Sequence, residues 1–370
     1  MSRTALVDEL RRLGERNGLV ALGVAEARPF TNTEATLQVR KRAGRHGEMQ
    51  FTYRNPARST DPDRALPGAR SLVVGALDYL HRPPEPDGAG PFARVARYAW
   101  SDHYARLRAA LQVIATRIEA EGWRARVLAD DNALVDREAA YRAGIGWYGK
   151  NTNLLIPGHG SWVVLGAVLT DAELAPSPRV RDGCGACTRC LPGCPTDAIV
   201  APGVLDARRC LAWIVQAPGP IPAHLRVPLH DRLYGCDDCQ EVCPPNRRRE
   251  RDLPVPEAEP ESQAWVSALD VLTSTDQELL DRHGRWYIAE RNPRYLRRNA
   301  LVVLGNVGDP DAPAVVAALT DYLADGDALL RSHAVWAARR LGRLDLVAVV
   351  RDDPAPEVRA ELAAPDPPPR

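Results

Sequence analysis

Hydrophobic positions in the first half of the chain follow two alternating patterns. Compact apolar runs that end in charge or proline predict buried strands at residues 21–26, 71–79, 124–130 and 161–171. Charged segments with apolar residues every three or four positions lie before and between these runs and predict amphipathic helices. Because helices of this kind cover a sheet, residues 1–175 are predicted to form an α/β domain.

The segment that follows Ser101 predicts a long helix. Ser101 is a suitable N-cap residue, and Gly122 is a suitable stop. The apolar residues between them recur on one helical face: Leu107, Leu111, Ile114 and Ile118. A shorter helix is predicted over residues 134–143, after the strand at 124–130.

The last part of the chain, from about residue 262, shows helical periodicity and no strand pattern. Two of its segments resemble each other, RRNALVVLGNVGDP from Arg297 and LRSHAVWAARRLG from Leu330. Each has arginine near its start, an apolar stripe and a Leu-Gly stop, as stacked helix pairs of the HEAT type have. Residues 256–370 are therefore predicted to form a HEAT-like helical domain with a disordered tail at 365–370.

Composition and charge narrow the class of protein. The 370 residues, 45% of them hydrophobic, are enough for two or three domains with their own cores. Net charge is zero and nearly all basic residues are arginine, so arginine content alone is weak evidence for nucleic-acid binding. No apolar run is long enough to span a bilayer, and no apolar signal core follows Arg11 and Arg12. A cytoplasmic monomer without membrane association is expected.

All eight cysteines lie between residues 184 and 243, and two of them precede proline. Three cysteines at spacing three wrap one iron-sulfur cube, while a fourth before proline ligates the other cube. This pattern predicts one 4Fe-4S cluster on Cys184, Cys187, Cys190 and Cys243. It predicts a second on Cys194, Cys210, Cys236 and Cys239, with Cys210 unusually far upstream. Four-cysteine zinc sites or disulfides explain the spacing less well.

The cysteines define a middle domain over residues 176–255. Pro176 and Pro178 open it, and a charged run followed by Pro254 closes it. We interpret this domain as a ferredoxin-like module that carries both clusters.

Asp130 and Asp131 end a predicted strand and precede a predicted helix. If the strands are arranged as in an open α/β sheet, this position is at the edge where ligands bind. Capping of the helix by Asp131 or Asn132 explains the pair equally well. Both interpretations remain open from the residues alone.

The glycine-rich segment 143–153 (AGIGWYGKNTN) superficially resembles a phosphate loop. It lacks the required spacing, because Asn151 follows Lys150 where serine or threonine is needed. The segment is interpreted either as a turn that approaches a large planar ligand, with Trp147 and Tyr148 as walls, or as a tight turn that packs this aromatic pair into the core.

Several segments, in the same order over nearly the whole chain, resemble epoxyqueuosine reductases. They are HGEM (46–49), LPGARS (66–71), RYA (97–99), AGIGWYGKNTNLL (143–155), CPTDAI (194–199), DARRC (206–210), GPIP (219–222) and YGCDDCQEVCP (234–244). The resemblance implies a cobalamin-dependent iron-sulfur oxidoreductase that reduces epoxyqueuosine to queuosine at the wobble position of tRNA. It also implies a low-potential electron donor as a partner.

The same resemblance implies an α+β multidomain architecture and assigns site residues. In that family cobalamin lies between the α/β domain and the two-cluster module, and the helical domain helps to hold the RNA. The family's acid falls on Asp130, with Arg137 kept but Ala133 and Asp136 in place of the usual proline and glutamate. The family's Asp-Tyr-His appears here as residues 102–104, Asp-His-Tyr. Residues that match family segments near the corrinoid are Arg58, Tyr98, Asp130, Lys150, Asn151, Arg209 and Asp237.

Basic and aromatic residues alternate in the helical domain and suggest an RNA-binding stripe. Arginines offer charge for phosphates, and aromatic rings offer planes for unstacked bases. The predicted contacts are Arg294, Arg297 and Arg298, with Trp286, Tyr287 and Tyr295 interleaved. A solvated helix face in an arginine-rich protein is the alternative.

Two other classes of protein share part of this pattern. A reductive dehalogenase uses the same cofactors but typically carries an export signal and lacks helical RNA-binding repeats. A pure electron carrier needs only the cysteine domain and leaves the α/β domain unexplained.

Overall fold

The computed structural model describes residues 3–88 and 90–368, which form two compact units. The first unit comprises Met1–Arg82, Ser101–Arg208 and Asp237–Glu257. The second comprises Pro83–Trp100, Arg209–Cys236 and Ala258–Arg370. Both units are discontinuous in sequence, so they do not follow the three predicted domains, whose boundaries stay a prediction.

A four-stranded antiparallel sheet lies at the centre of the first unit. Its strand order is Leu19–Glu26, Ser71–Asp78, Val163–Thr170 and Ala125–Ala129. All four strands lie where apolar runs predicted them. Because every neighbouring pair is antiparallel, the carboxyl end of Ala125–Ala129 lies beside the middle of its neighbour. The rule for open parallel sheets therefore does not explain the position of Asp130.

Helices cover both faces of this sheet. On one face, Ala139 and Ala140 of the helix Asp136–Arg142 belong to the same core cluster as Leu72 and Val74. Side chains alternate along a strand, so Gly75 faces the other way, where Leu111 of the helix His103–Glu119 packs. Burial on both faces explains why the two central strands, Ser71–Asp78 and Val163–Thr170, are nearly continuous apolar runs.

The helix His103–Glu119 begins two residues after the predicted N-cap. The carboxylate of Asp102 accepts a hydrogen bond of 2.8 Å from the backbone N–H of Ala105, so Asp102 and not Ser101 caps the helix. The helix predicted at residue 134 begins at Asp136, because a turn precedes it.

The first unit contains further short elements. Its other helices are Arg3–Arg16, Thr31–Arg42, Phe51–Arg54, Pro56–Ser59, Pro62–Ala65, Asp238–Glu241 and Pro244–Asp252. Its strand pairs outside the main sheet are Trp147–Tyr148 with Leu154–Leu155, and Ile199–Ala201 with Val204–Leu205.

The second unit is mainly helical. Its α-helices are Leu211–Ile214, Ala223–Leu229, Ala268–Thr273, Asp276–His283, Arg294–Val307, Pro313–Leu323, Ala328–Arg340, Leu344–Val347 and Pro356–Ala363. Its 3-10 helices are Arg97–Ala99, Ala289–Arg291 and Ala348–Val350. A small sheet has the order Arg232–Tyr234, Phe92–Val95 and Trp265–Ser267. The prediction of no strand after residue 262 is therefore wrong. The strand Trp265–Ser267 was missed because three residues are too few to show an alternation of apolar and polar positions.

The two segments that resemble each other in sequence form the helices Arg294–Val307 and Ala328–Arg340, which pack together. At Gly305 a Cβ atom would lie 2.9 Å from the Cα of Ala337, so a glycine permits this close approach. The HEAT-like prediction is confirmed.

The predicted disordered tail is described as far as residue 368, and Pro369 and Arg370 lie outside the described residues. Within the tail, Asp366 forms an ion pair of 2.7 Å with Arg339. Among the described residues, no helix has the length and apolar character needed to cross a lipid bilayer.

Candidate functional site

Four cysteines line one cavity of about 220 Å³ in the first unit: Cys184, Cys187, Cys190 and Cys243. They are the four that the spacing assigned to one cluster. Burial, together with the three neighbouring thiols, raises the pKa of Cys243 to about 11. Burial also raises the pKa of Cys190. Four mutually close sulfurs around one cavity fit the ligand set of a 4Fe-4S cluster.

Backbone hydrogen bonds hold these cysteines in place. The N–H of Cys187 donates to the carbonyl of Cys184 at 3.0 Å, and the Cys184 N–H donates to the Asp182 carboxylate at 2.8 Å. Cys243 occupies the N-cap position of the helix Pro244–Asp252. Asn246 in that helix is fully buried, and its amide N–H donates to Ser161 Oγ and to the Gln240 carbonyl, both at 2.9 Å. Asn246 therefore fixes the helix Pro244–Asp252, and with it Cys243, against Ser161 and Gln240.

The glycine-rich segment forms part of the cavity wall. Lys150 Nζ donates to the Gly185 carbonyl at 2.7 Å, and the Asn151 amide donates to the Cys239 carbonyl at 3.3 Å. Trp147 is buried and packs against Cys243. The core-packing interpretation of this segment is therefore supported for Trp147. Contact of Lys150 and Asn151 with a corrinoid stays a prediction.

The other four cysteines are divided between the units. Cys194 and Cys239 belong to the first unit, and Cys210 and Cys236 belong to the second. The Cys194 sulfur accepts a hydrogen bond of 3.3 Å from the N–H of Ala198. The grouping of these four cysteines around a second cluster stays a prediction.

Asp130 follows the strand Ala125–Ala129 in a left-handed backbone conformation, with φ of 55°. For a residue with a side chain, such a conformation costs about 1 kcal/mol or more. The residue is exposed as a whole, yet burial of its carboxyl raises the pKa, and nearby Asp136 and Asp102 raise it further. Arg108 opposes this shift. The carboxyl thus keeps its proton to higher pH than a solvated aspartate, as a general acid requires.

The adjacent Asp131 has a structural role. Its carboxylate accepts a hydrogen bond of 2.8 Å from the N–H of Ala133 and so caps the turn that leads into the next helix. The Asp130 carboxyl accepts no hydrogen bond within the described part of the chain. Capping therefore explains Asp131 and leaves Asp130 as the candidate acid.

Polar residues that the sequence did not single out support this part of the unit. Tyr79 is buried, and its hydroxyl lies 3.4 Å from Gln240 Oε1. The same Oε1 accepts from Ser161 Oγ at 2.9 Å, and the Gln240 amide donates to the Asp237 carboxylate at 2.9 Å. Burial raises the pKa of Tyr79, so its hydroxyl stays protonated. These hydrogen bonds fix the position of Asp237. The sequence did not reveal the network, because its members are single polar residues scattered along the chain.

The remaining predicted cofactor residues do not all fall in one unit. Arg58 and Asp237 lie in the first unit with Asp130, whereas Tyr98 and Arg209 lie in the second. Arg58 is exposed, and its guanidinium forms no ion pair with another described residue. His103 is buried and stacks on His81 with ring centroids 6.0 Å apart.

Arg298 does not lie on the surface, so the prediction that it contacts RNA is wrong. Its side chain is 1% exposed. Its guanidinium donates to the side chain of Asn299 and to four main-chain carbonyls, those of Ile214, Val215, Ala217 and Gly219. Burial lowers its pKa to about 9, so it remains a cation at neutral pH. The positive charge of Arg298 therefore stabilises main-chain carbonyls inside the second unit.

Arg294 and Arg297 are also engaged within the second unit. Arg294 forms an ion pair of 3.1 Å with Asp327, and Arg297 forms one with Asp276. Among the three aromatic residues of the predicted stripe, Trp286 and Tyr295 are buried and Tyr287 is exposed. RNA contact by Arg294 and Arg297 stays a prediction.

Comparison with known protein families finds three matches. Residues 183–246 match a 4Fe-4S double cluster binding domain, residues 59–131 match the epoxyqueuosine reductase QueG family, and residues 286–364 match HEAT repeats. Among curated relatives, the epoxyqueuosine reductase of Xanthomonas campestris pv. campestris is 35% identical over 362 residues, covering 90% of this chain and 95% of that protein. That of Alicycliphilus denitrificans is 36% identical over 356 residues, covering 90% and 97%.

Solved structures show the same similarity over the whole chain. A crystal structure of epoxyqueuosine reductase with an epoxyqueuosine-modified tRNA-Tyr stem loop has a TM-score of 0.87 and 28% identity, covering 98% of both chains. The structure of epoxyqueuosine reductase from Streptococcus thermophilus has a TM-score of 0.86 and 28% identity, covering 95% of this chain and 96% of that one.

Proposed function

The chain belongs to the epoxyqueuosine reductase family, and on that premise we propose how its own residues carry out the reduction of epoxyqueuosine to queuosine in tRNA. The enzyme uses two 4Fe-4S clusters and cobalamin. In our proposal it works as a cytoplasmic monomer, takes electrons from a low-potential donor and acts on the wobble base at position 34.

Eight thiolates hold the clusters in this proposal. One set is Cys184, Cys187, Cys190 and Cys243, and the other is Cys194, Cys210, Cys236 and Cys239. The shared cavity of the first set supports its grouping. Bound clusters supply electrons singly at low potential, and a bound corrinoid supplies a strongly reducing cobalt.

Asp130 supplies the proton that the reaction needs at oxygen. Reduction of an epoxide to an alkene removes its oxygen as water and consumes two electrons and two protons. The departing oxygen develops negative charge as its bonds to carbon break, and the Asp130 carboxyl donates a proton to it. The observation that carries this assignment is a partly buried Asp130 carboxyl that accepts no hydrogen bond from the described residues, and this burial raises its pKa. A solvated, ionised aspartate has no proton to give.

The second unit helps to hold the RNA, with Arg294 and Arg297 as phosphate contacts. A base in the anticodon loop is not held in a duplex, so moving it into a pocket costs little. Arginine can exchange a carboxylate for a phosphate because both accept its forked N–H groups.

The test compares Asp130→Asn with the original enzyme. Anaerobically reconstituted protein, cobalamin and a low-potential reductant are incubated with a stem loop carrying epoxyqueuosine, and released nucleosides are weighed by mass spectrometry. We expect loss of one oxygen with the original enzyme and a rate lower by about 10²- to 10⁴-fold with the variant, the usual effect of a general acid. Asp131→Asn is the matched control, because it removes a neighbouring carboxylate charge, leaves an amide oxygen that can accept the same hydrogen bond from Ala133, and keeps the acid.

The pH dependence provides a second readout of the same assignment. The acid is protonated below its raised pKa, so the rate of the original enzyme should fall as pH increases through that pKa. In Asp130→Asn this fall in rate with increasing pH should be absent. Equal rates and an unchanged limb in the variant would reject Asp130 as the acid. An unchanged nucleoside from original enzyme with both clusters loaded would instead favour the dehalogenase or electron-carrier alternatives.

A further inference from the structure

The cavity of the first cluster lies beneath a positively charged surface. Lys150 and Arg248 line this cavity, and no carboxylate does so among the described residues. Arg247 and Arg248 are exposed on the helix Pro244–Asp252, which starts directly at the cluster ligand Cys243. We call Lys150, Arg247 and Arg248 the cation rim. Since the chain as a whole has zero net charge, this excess is local.

No carboxylate of the described residues forms an ion pair with the cation rim, and the acidic neighbour of Arg248, Asp252, is itself paired with Arg251. Arg247 Nε donates to the carbonyl of Glu241 at 3.1 Å, and Lys150 donates to the carbonyl of Gly185. The Arg248 guanidinium forms no hydrogen bond or ion pair with another described residue. By contrast, Arg331 and Arg339 in the second unit are paired with Asp353 and Asp366. The rim therefore presents positive charge to a partner from solution.

An apolar recess of about 340 Å³ adjoins the rim. Its apolar walls include Trp147, Pro157, Pro245 and Leu253, and its charged lining consists of Arg248, Arg249 and Asp252, two cations against one carboxylate. Arg248 lines both the recess and the cluster cavity. Trp147 also packs against the cluster ligand Cys243. An apolar side chain seated in this recess would thus be separated from a cluster ligand by one indole ring.

We propose that the cation rim and the recess dock an acidic protein that carries single electrons. The proposal rests on the proposed function, because it needs a cluster on Cys184, Cys187, Cys190 and Cys243. In each encounter the carrier is oxidised by one electron and the cluster is reduced by one, with no bond made or broken. Two encounters supply the two electrons of one turnover. Small, charged and transient contacts are typical of electron-transfer partners.

The experiment measures cluster reduction by stopped-flow absorbance, independently of any RNA chemistry. The probe is a reduced acidic 2Fe-2S ferredoxin, and reduced methyl viologen, a small cation, serves as the reductant that needs no docking. The double variant Arg247→Glu, Arg248→Glu is compared with Arg248→Lys, which keeps the charge. Arg12→Glu reverses an exposed arginine elsewhere in the same unit and is the control.

We expect the double variant to lower the second-order rate constant with ferredoxin at least about tenfold at low salt. High salt screens the charges of both proteins, so the rate constants of the double variant and the original protein should become similar there. Arg248→Lys and Arg12→Glu should stay within about twofold of the original protein, and reduction by the cation methyl viologen should be no slower in the double variant than in the original.

Three results would overturn the docking inference. One is an equal rate with ferredoxin in the double variant and the original. Another is a loss that persists at high salt or with methyl viologen, which would mean that the arginines set the potential of the cluster. The third is weaker stem-loop binding with an unchanged ferredoxin rate, which would mark the rim as an RNA surface. Failure of the ligand assignment is separable, because iron content and electron paramagnetic resonance of the original protein would then lack this cluster, and both proposals would fall.

Discussion

Arg298 acts as an internal brace of the second unit. A guanidinium has five N–H donors, and here they reach carbonyls at and just after the end of the helix Leu211–Ile214. A cation at the carboxyl end of a helix is favourable, because the unpaired carbonyls there carry partial negative charge. The segment begins at Cys210, so this brace holds the backbone next to a predicted cluster ligand.

Replacement of Arg298 should destabilise the protein without changing its RNA affinity directly. Arg298→Lys keeps the charge but leaves several buried carbonyls without donors, so the free energy of unfolding should fall by about 2 to 4 kcal/mol. Thermal denaturation measures this loss. Arg351→Lys, at an exposed position, should change stability by less than about 0.5 kcal/mol. A changed salt dependence of stem-loop binding in Arg298→Lys would contradict the buried role.

Single residues differ in how well the sequence predicted them. The grouping of Cys184, Cys187 and Cys190 with Cys243 followed from spacing, because a cube restricts where its ligands can lie in the chain. Arg298 was wrongly predicted to lie on the surface, since the sequence does not reveal that main-chain carbonyls will accept the hydrogen bonds of a buried guanidinium. Asp131 and Asp130 look alike in sequence and are distinguished only by which carboxylate caps the turn.

At the scale of elements, the long helix of the first unit sits close to its sheet because two glycines face each other beneath it. Gly75 and Gly166 are direct partners in adjacent strands. A Cβ atom at Gly166 would lie 2.7 Å from a methyl group of Leu111 and 3.0 Å from the carbonyl of Leu128. The strand that contains Leu128 leads into Asp130, so this packing also bears on the candidate acid.

Gly166→Ala should therefore lower both stability and activity. Overpacking at this contact should reduce the free energy of unfolding by about 1 to 2 kcal/mol, as measured by denaturant titration. The displaced strand end should also reduce the rate of epoxyqueuosine reduction. Gly326→Ala is the control, since a Cβ there meets no atom within 4 Å. Unchanged stability in Gly166→Ala would show that Leu111 moves aside without cost.

Apolar runs predicted the two central strands, Ser71–Asp78 and Val163–Thr170, because both are buried on both faces and their character is carried by consecutive residues. The edge strands Leu19–Glu26 and Ala125–Ala129 are only partly buried, and their runs were shorter or interrupted by charge. The same patterns do not encode the direction of a neighbouring strand, so the antiparallel order had to come from the structure. Trp265–Ser267 was missed because three residues form a strand only through pairing with Phe92–Val95, far away in sequence.

At the scale of the whole molecule, arginine dominates the basic residues while net charge is zero, and most arginines of the second unit described above are paired internally. RNA binding must then draw on arginines that can exchange partners. Arg294 is half-buried and its partner Asp327 is also a helix cap, accepting from the N–H of Leu329 at 2.9 Å. Asp327 therefore keeps a hydrogen bond if Arg294 turns to a phosphate.

Arg294→Ala should weaken stem-loop binding and reduce the slope of log affinity against log salt concentration by about 1, as expected for one lost phosphate contact. Fluorescence anisotropy over a range of salt concentrations measures this slope. Arg94→Ala is the matched control, because Arg94 is also half-buried in the second unit, is paired with Asp231 and was not predicted to contact RNA. A lower melting temperature with an unchanged slope would leave Arg294 with a purely structural role.

The discontinuity of the first unit has a consequence for biosynthesis. Its last segment, Asp237–Glu257, supplies Cys243 and the helix that Asn246 anchors. During translation the ribosome must therefore pass Glu257 before this unit can close. Cys184, Cys187 and Cys190 emerge earlier than their fourth partner, so the nascent chain presents three thiols to the cell's iron-sulfur assembly machinery before the wall that will bury them has been made.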